Sequence, residues 1–203
     1  MNARFALAFA LGLIWAPLAA AADGPSPGLE AGQVLRGRFV QERHLKGFKA
    51  PLRSEGHFVL APGRGLIWRA EKPFAVTTAI TAAGLVQQAG GAETLRLPSS
   101  RLPFLARLYD MLGGALAGDW RALGGDFTVA RSGDDKRWQV ALIPRNTDDL
   151  AMPFRSIAIA GDRFVEHVEM TKPDGDTEGL TFFDQTLSTL AADDAAALDD
   201  VGK

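Results

Sequence analysis

The sequence contains no cysteine, a single tyrosine and three histidines. Without thiols there is no disulfide framework, no thiolate metal site and no cysteine to carry a lipid anchor. Neither sign of charge dominates: 22 Lys and Arg stand against 24 Asp and Glu, a formal net charge of -2. That balance excludes the strongly basic face that nucleic-acid binding requires and leaves no polybasic patch for an anionic membrane. Long apolar runs are also scarce. The one candidate lies at the start, where Arg4 precedes an apolar stretch from Phe5 to Leu18 and small residues Ala20-Ala21-Ala22 lead into Asp23. It is shorter than the roughly 20 residues that span a bilayer and carries Pro17, so residues 1–22 are expected to be a cleaved signal peptide. The mature chain is then expected to be soluble and outside the cytoplasm. Removing Arg4 moves Lys plus Arg from 22 to 21 against 24 acids, a net charge of about -3.

What remains is about 180 residues, a length suited to one domain, here residues 23–190, followed by an acidic and low-complexity stretch, 191–203, expected to be a flexible tail. From Leu35 onward the apolar pattern has period two. Leu35, Phe39 and Leu45 share one parity with Gln41 and Arg43, while Arg36, Arg38, Glu42 and His44 take the other. The next run sets Gly56, Phe58 and Leu60 against Glu55, His57 and Val59. "GLIWRAE" sets Leu66, Trp68 and Ala70 against Ile67, Arg69 and Glu71. Further strands are expected at Phe74 to Thr81, Gly84 to Gln88, Thr94 to Leu97, Phe127 to Arg131, Trp138 to Ile143, Phe154 to Ala160, Arg163 to Thr171 and Glu178 to Gln185. Turns rich in glycine, proline and aspartate separate them, as in an antiparallel meander.

Between the two strand sets the period changes. In "SSRLPFLARLYDMLGGALAGDWRAL" Leu105, Leu108, Leu112, Ala115 and Leu116 recur at helical spacing, with Phe104, Tyr109 and Met111 widening the stripe and Gly113-Gly114 weakening it. A sheet of ten or eleven strands must curl, and its apolar face needs a cover, which these helices can supply. The expected fold is mainly β (α+β), a single curled antiparallel sheet with a helical lid.

The residues offer little chemistry. His44, His57 and His167 fall in strands beside charged neighbours, with no His-x-x-x-His spacing and no cysteine partner, so no metal site is expected. Ser54 and His57 lie three apart in one strand and therefore on opposite faces, and no Gly-x-Ser-x-Gly elbow exists. The run Pro173-Asp174-Gly175-Asp176 fits a hairpin turn better than a calcium loop. No catalytic residue, enzyme activity or cofactor is expected. The unusual feature is the apolar set on the dry parity: Phe39, Phe58, Leu60, Leu66, Trp68, Trp138, Val140, Ile157, Ile159, Met170 and Phe182, joined by Leu105, Leu108, Met111 and Leu112 from the helical segment. These residues can fill a core or line a ligand cavity, and patterning alone does not separate the two.

The order of certain motifs resembles the LolA-like superfamily of periplasmic outer-membrane lipoprotein carriers. These are Phe39-x-Gln41, Ser54-x-Gly56-x-Phe58, "GLIW" ending in Trp68, Pro73, Gly84, Leu97-Pro98, Asp119-Trp120, Trp138 to Pro144, Phe154 to Gly161 and Asp174-Gly175. The resemblance implies an unclosed β-barrel whose apolar concave face lies under a helical lid and holds acyl chains. Such carriers receive a lipoprotein from an inner-membrane donor and pass it to an outer-membrane acceptor. It therefore implies lipid or lipoprotein acyl chains as ligand, transient membrane-protein contacts, no nucleic acid, and a monomer. The family's latch arginine, which holds the lid closed, aligns with the Pro62-Gly63 turn, so Arg64, just beyond it, is the candidate latch. A second reading is an envelope sensor or adaptor that uses the same scaffold as a protein-binding module.

Overall fold

The computed structural model describes residues 32–101, 124–125, 127–134, 136–145 and 154–203. Their backbone is one 11-stranded antiparallel sheet. The first meander runs through β1 (Gln33–His44), β2 (Leu52–Ala61), β3 (Gly65–Lys72), β4 (Val76–Thr81), β5 (Gly84–Ala89) and β6 (Ala92–Pro98), ending in a short 3-10 turn, Ser99–Arg101. The second runs through β7 (Phe127–Gly133), β8 (Trp138–Pro144), β9 (Ser156–Gly161), β10 (Val165–Thr171) and β11 (Thr177–Thr189). A helix, α1 (Ala192–Asp200), follows. The expected strands are all present, with β11 reaching four residues further than the alternation suggested.

The strand order β6-β5-β4-β3-β2-β1-β11-β10-β9-β8-β7 joins the two meanders through the first and last strands. β1 and β11 are the longest, at 12 and 13 residues, and pair from Gln33↔Thr189 to His44↔Thr177 across a bulge between Arg36 and Arg38. β6 and β7 are the two edges, and neither pairs with the other, so the sheet is not closed into a barrel. The connection between these edges contains residues 102–123. The expected helical lid, with Leu105, Leu108, Met111 and Leu112, lies there, outside the described residues, as does the expected signal peptide at 1–22.

Cross-strand partners share a face of the sheet. Following the pairs Trp68↔Phe58↔Gly37 and Gly56↔Phe39↔Phe182, then Leu180↔Val168↔Ile159↔Val140, carries one face from β3 to β8 without a break. This face is called the aromatic face below, and the opposite one the helix face, because α1 packs on it.

The stretch 191–203, expected to be a flexible acidic tail, is largely helical. Its alanines are strong helix formers, and Asp193 and Asp194 lie in the first turn, where negative charge opposes the helix dipole favourably. Leu198 and Val201 are buried. Leu198 joins Val34, Val59, Ala61 and Ile67 in one cluster, and Val201 joins Ala79 and Val86 in another. Acidic residues at a helix C-terminus are ordinarily unfavourable. Here Asp199 accepts from Arg64 at 2.6 Å and Asp200 from Arg96 at 3.0 Å, while Arg96 also caps the Asp200 carbonyl at 2.8 Å. Composition alone read this stretch as disordered because the apolar and basic partners that fix it lie 100 or more residues away, in β1 to β6.

Candidate functional site

The aromatic face is built around four rings. Phe39 lies flat on Trp68 with ring centroids 3.6 Å apart, Phe58 stacks at 6.4 Å from Trp68, and Phe182 meets Phe58 and Trp68 edge-on at 5.3 and 6.1 Å. Glycine makes room for this cluster. A Cβ on Gly37 would sit 2.8 Å from the Phe58 ring, too close for any side chain there. The second meander repeats the device, since a Cβ on Gly161 would come within 2.9 Å of the Trp138 ring. Trp138 settles its only donor by giving its indole N–H to the Asp162 carbonyl. Beyond it, Val140, Leu142, Ile157, Phe127 and Phe154 form a buried cluster with Ile159, Val168 and Met170 packed against it.

All eleven described residues of the expected apolar set fall on this one face. Phe39, Phe58, Trp138, Val140 and Ile157 are buried, while Leu60, Leu66, Trp68, Ile159, Met170 and Phe182 remain half-buried. The face is thus neither sealed throughout nor bare. It presents half-buried apolar side chains beside a buried floor.

One end of the face turns polar. Gln41 and Ser54 follow Phe39 and precede Gly56 on the same parity, and Glu178 precedes Leu180. The Ser54 hydroxyl donates to the Gln41 amide oxygen at 2.9 Å, and the Gln41 amide nitrogen donates to Glu178. Glu178, 8% exposed, also takes Arg43 at 3.2 Å and Lys172 at 3.6 Å. A buried carboxylate needs such partners. Sequence reasoning placed Gln41 on the dry parity, gave neither it nor Ser54 a role and missed Glu178. The signal was available: polar residues at dry positions within Phe39-x-Gln41 and Ser54-x-Gly56-x-Phe58.

On the helix face, Asp194 is 4% exposed and bridges Arg36 and Arg69, both at 2.7 Å. Burial pushes its carboxyl up, but the hydrogen bonds from Arg69 and Arg36 outweigh that and leave it below the usual aspartate range. Arg64, the candidate latch, pairs with Asp199 of α1 on the same side. Its relation to the segment 102–123 falls outside the described residues. Farther along the helix face, over the second meander, lies an open trough of about 340 Å³ with a floor of Ala130, Ala141, Ala158 and Ala160 and polar walls from Ser132, Gln139, His167 and Glu169.

The histidines form no reactive constellation among the described residues. His57 Nδ1 contacts Glu71 at 3.0 Å on an exposed patch, which holds the Glu71 carboxyl below its ordinary value, and His167 Nδ1 lies 3.4 Å from the Thr181 hydroxyl. No group of three or more His, Asp or Glu among the described residues is arranged to hold a metal ion.

The family model described as outer membrane lipoprotein carrier protein LolA-like matches residues 28–202, which contain the whole sheet and its C-terminal helix. The chain belongs to the LolA-like family. No curated protein matches its sequence. Among solved structures it is similar to a LolA superfamily protein from Nitrosomonas europaea, with 8% identity, a TM-score of 0.40, and coverage of 83% of this chain and 92% of that one. It is similar also to a chain of the MucA/MucB complex of Pseudomonas aeruginosa, with 13% identity and a TM-score of 0.48 over 83% of this chain and 57% of that one. A third is a domain described as an outer membrane lipoprotein-sorting protein from Vibrio parahaemolyticus, with 12% identity, a TM-score of 0.43, and coverage of 86% and 93%. No helix among the described residues is long and apolar enough to cross a membrane.

Proposed function

We propose that this LolA-like protein is a periplasmic carrier that holds the acyl chains of a lipoprotein or another lipid against the aromatic face, takes them from an inner-membrane donor and yields them to an outer-membrane acceptor. The observation that carries this reading is the unbroken apolar face from β3 to β8, with half-buried Leu60, Leu66, Trp68, Met170 and Phe182 above a buried floor. Each methylene laid against such a face is worth about 0.8 kcal/mol, so a single acyl chain is held strongly yet remains transferable to a competing apolar site. Ser54, Gln41 and Glu178 at one end supply hydrogen-bonding groups for the polar end of the cargo. Nothing in this role requires a catalytic residue or a cofactor.

The deciding experiment is native mass spectrometry of mature protein isolated from its own periplasm. A bound lipid mass is expected, and Trp68→Asp or Leu112→Asp should abolish it while the protein stays folded. Folded variants that still retain lipid would sink the assignment of this face.

The adaptor reading has one observation in its favour. The edge strands β6 and β7 have no second neighbour among the described residues, and an open edge accepts a strand from another protein. Protein that stays empty even with added lipid would favour it.

A further inference from the structure

Two connections at one end of the sheet finish in bare aromatic rings. β1 and β3 run in the same direction, since each pairs antiparallel with β2, so the β1–β2 and β3–β4 connections lie at the same end. The first reads Leu45-Lys46-Gly47-Phe48-Lys49-Ala50-Pro51 and leads into Leu52; the second is Pro73-Phe74-Ala75. Phe48 is 65% exposed, Leu52 52% and Phe74 77%, the three most exposed large apolar side chains among the described residues. The two tips are two strand spacings apart across the sheet, about 10 Å, and because Lys72 pairs with Glu55 while Arg43 pairs with Leu52, the β1–β2 tip projects about a further 10 Å along the strands.

Large apolar side chains gathered at one rim mark an interaction surface. Their charged neighbours indicate its chemistry. Lys46 and Lys49 flank Phe48, and neither ammonium pairs with a carboxylate among the described residues. Of the other charges at this rim Glu42 is exposed and unpartnered among the described residues, and the rest are engaged. Arg43 and Lys172 pair with Glu178, Arg53 and Lys72 with Glu55, while Asp176 accepts the Lys46 backbone N–H at 2.8 Å and Asp174 that of Asp176. Aromatic tips with free lysines beside them suit a lipid headgroup region, where rings enter the acyl boundary and ammonium groups reach phosphate. A protein partner would instead call for a continuous groove or an open edge, and these tips are separate projections.

We infer that this rim docks on the anionic surface of a phospholipid bilayer, with Phe48, Leu52 and Phe74 entering the interface and Lys46 and Lys49 at the phosphates. The inference adds a place of exchange to the carrier reading but does not depend on it.

The test is flotation of the full mature protein with vesicles of phosphatidylcholine mixed with phosphatidylglycerol. The parent protein should float with them, less so as salt rises. Two buried phenyl rings make the Phe48→Ser, Phe74→Ser double variant at least about tenfold weaker. Lys46→Glu with Lys49→Glu should weaken binding to the mixed vesicles and not to phosphatidylcholine alone. Phe183→Ser, at an exposed ring on the helix face, should change nothing. All substitutions lie on exposed side chains, so unchanged thermal unfolding is the control for folding. Equal flotation of parent and double variant overturns the inference, as does a parent that ignores vesicles while its rim is buried by a protein partner. A bound lipid mass retained by the double variant separates loss of docking from loss of cargo binding.

Discussion

The two meanders use the same backbone plan but bury different numbers of faces. In β1 to β6 both faces are apolar: Phe39, Phe58 and Trp68 on one side, Val34, Val59, Ile67, Ala79 and Val86 on the other, with α1 covering the second. In β7 to β11 only the aromatic face is buried. Its reverse carries exposed Ala130, Ala141 and Ala158, and Ile143 is half in solvent. The contrast shows how residue size follows cover. Val34, Val59 and Ile67 stand where a helix removes them from water, and Ala130, Ala141 and Ala158 stand where nothing described does, which limits exposed apolar area, Ile143 being the exception.

That comparison is open to attack at several points. Phe39 sits on β1, beside the β11 strand that joins the halves, fully buried under Trp68. Phe39→Ala should cost about 4 kcal/mol in urea unfolding and lower the stability of both meanders together. Separate transitions for the two halves would show that they are independent units. Leu198→Ala should cost about 3 kcal/mol and expose the helix face, raising binding of an apolar dye, while amide exchange in β8 and β9 stays slow. Exchange that speeds equally in β8 and β9 would remove the distinction between the halves.

Asp194→Asn leaves Arg36 and Arg69 without their shared carboxylate. A loss of about 2 kcal/mol is expected, discounted from a fully buried pair because both arginines are partly exposed. The folded carboxyl lies below its ordinary value of 3.8, so its contribution is present above that value and fades as pH falls through the lower folded value. Acid unfolding followed by circular dichroism should therefore be less steep below about pH 4 in the variant. An identical acid limb would mean the pair contributes nothing. The smallest effect is expected on the uncovered face: Ala141→Ser and Ala158→Ser should each shift stability by less than about 0.5 kcal/mol. A loss above about 1 kcal/mol would reveal that something covers the trough.

Much of the fold was legible because alternation in half-buried strands is strong and local. Leu66 and Trp68 declare their shared face by spacing alone, and Gly84 and Gly175 mark turns at positive φ. The candidate site was legible to the same extent, as a set of residues sharing a parity. What could not be read was that the first strand, β1, and the last, β11, are neighbours. Phe39 pairs with Phe182, 143 positions further along the chain, and no local pattern encodes that pairing. Of the polar group Ser54, Gln41 and Glu178, the first two are legible as polar residues in dry positions, but their link to Glu178 was hidden, since it belongs to the last strand. The helix α1 was missed for the same reason: Asp194 reads as one more acid until Arg36 and Arg69 are placed beside it.

By itself, then, the sequence determined the strands, their turns and the division of each strand into a dry and a wet side, because these depend on backbone geometry and on neighbours two residues away. Only the tertiary structure decided that the dry sides of seven strands, β3 to β8 in sheet order, merge into one face, that an acidic stretch becomes a docked helix, and that two loops bring Phe48 and Phe74 to one rim. Those outcomes depend on contacts between distant segments, whose free energy appears only when the chain closes on itself.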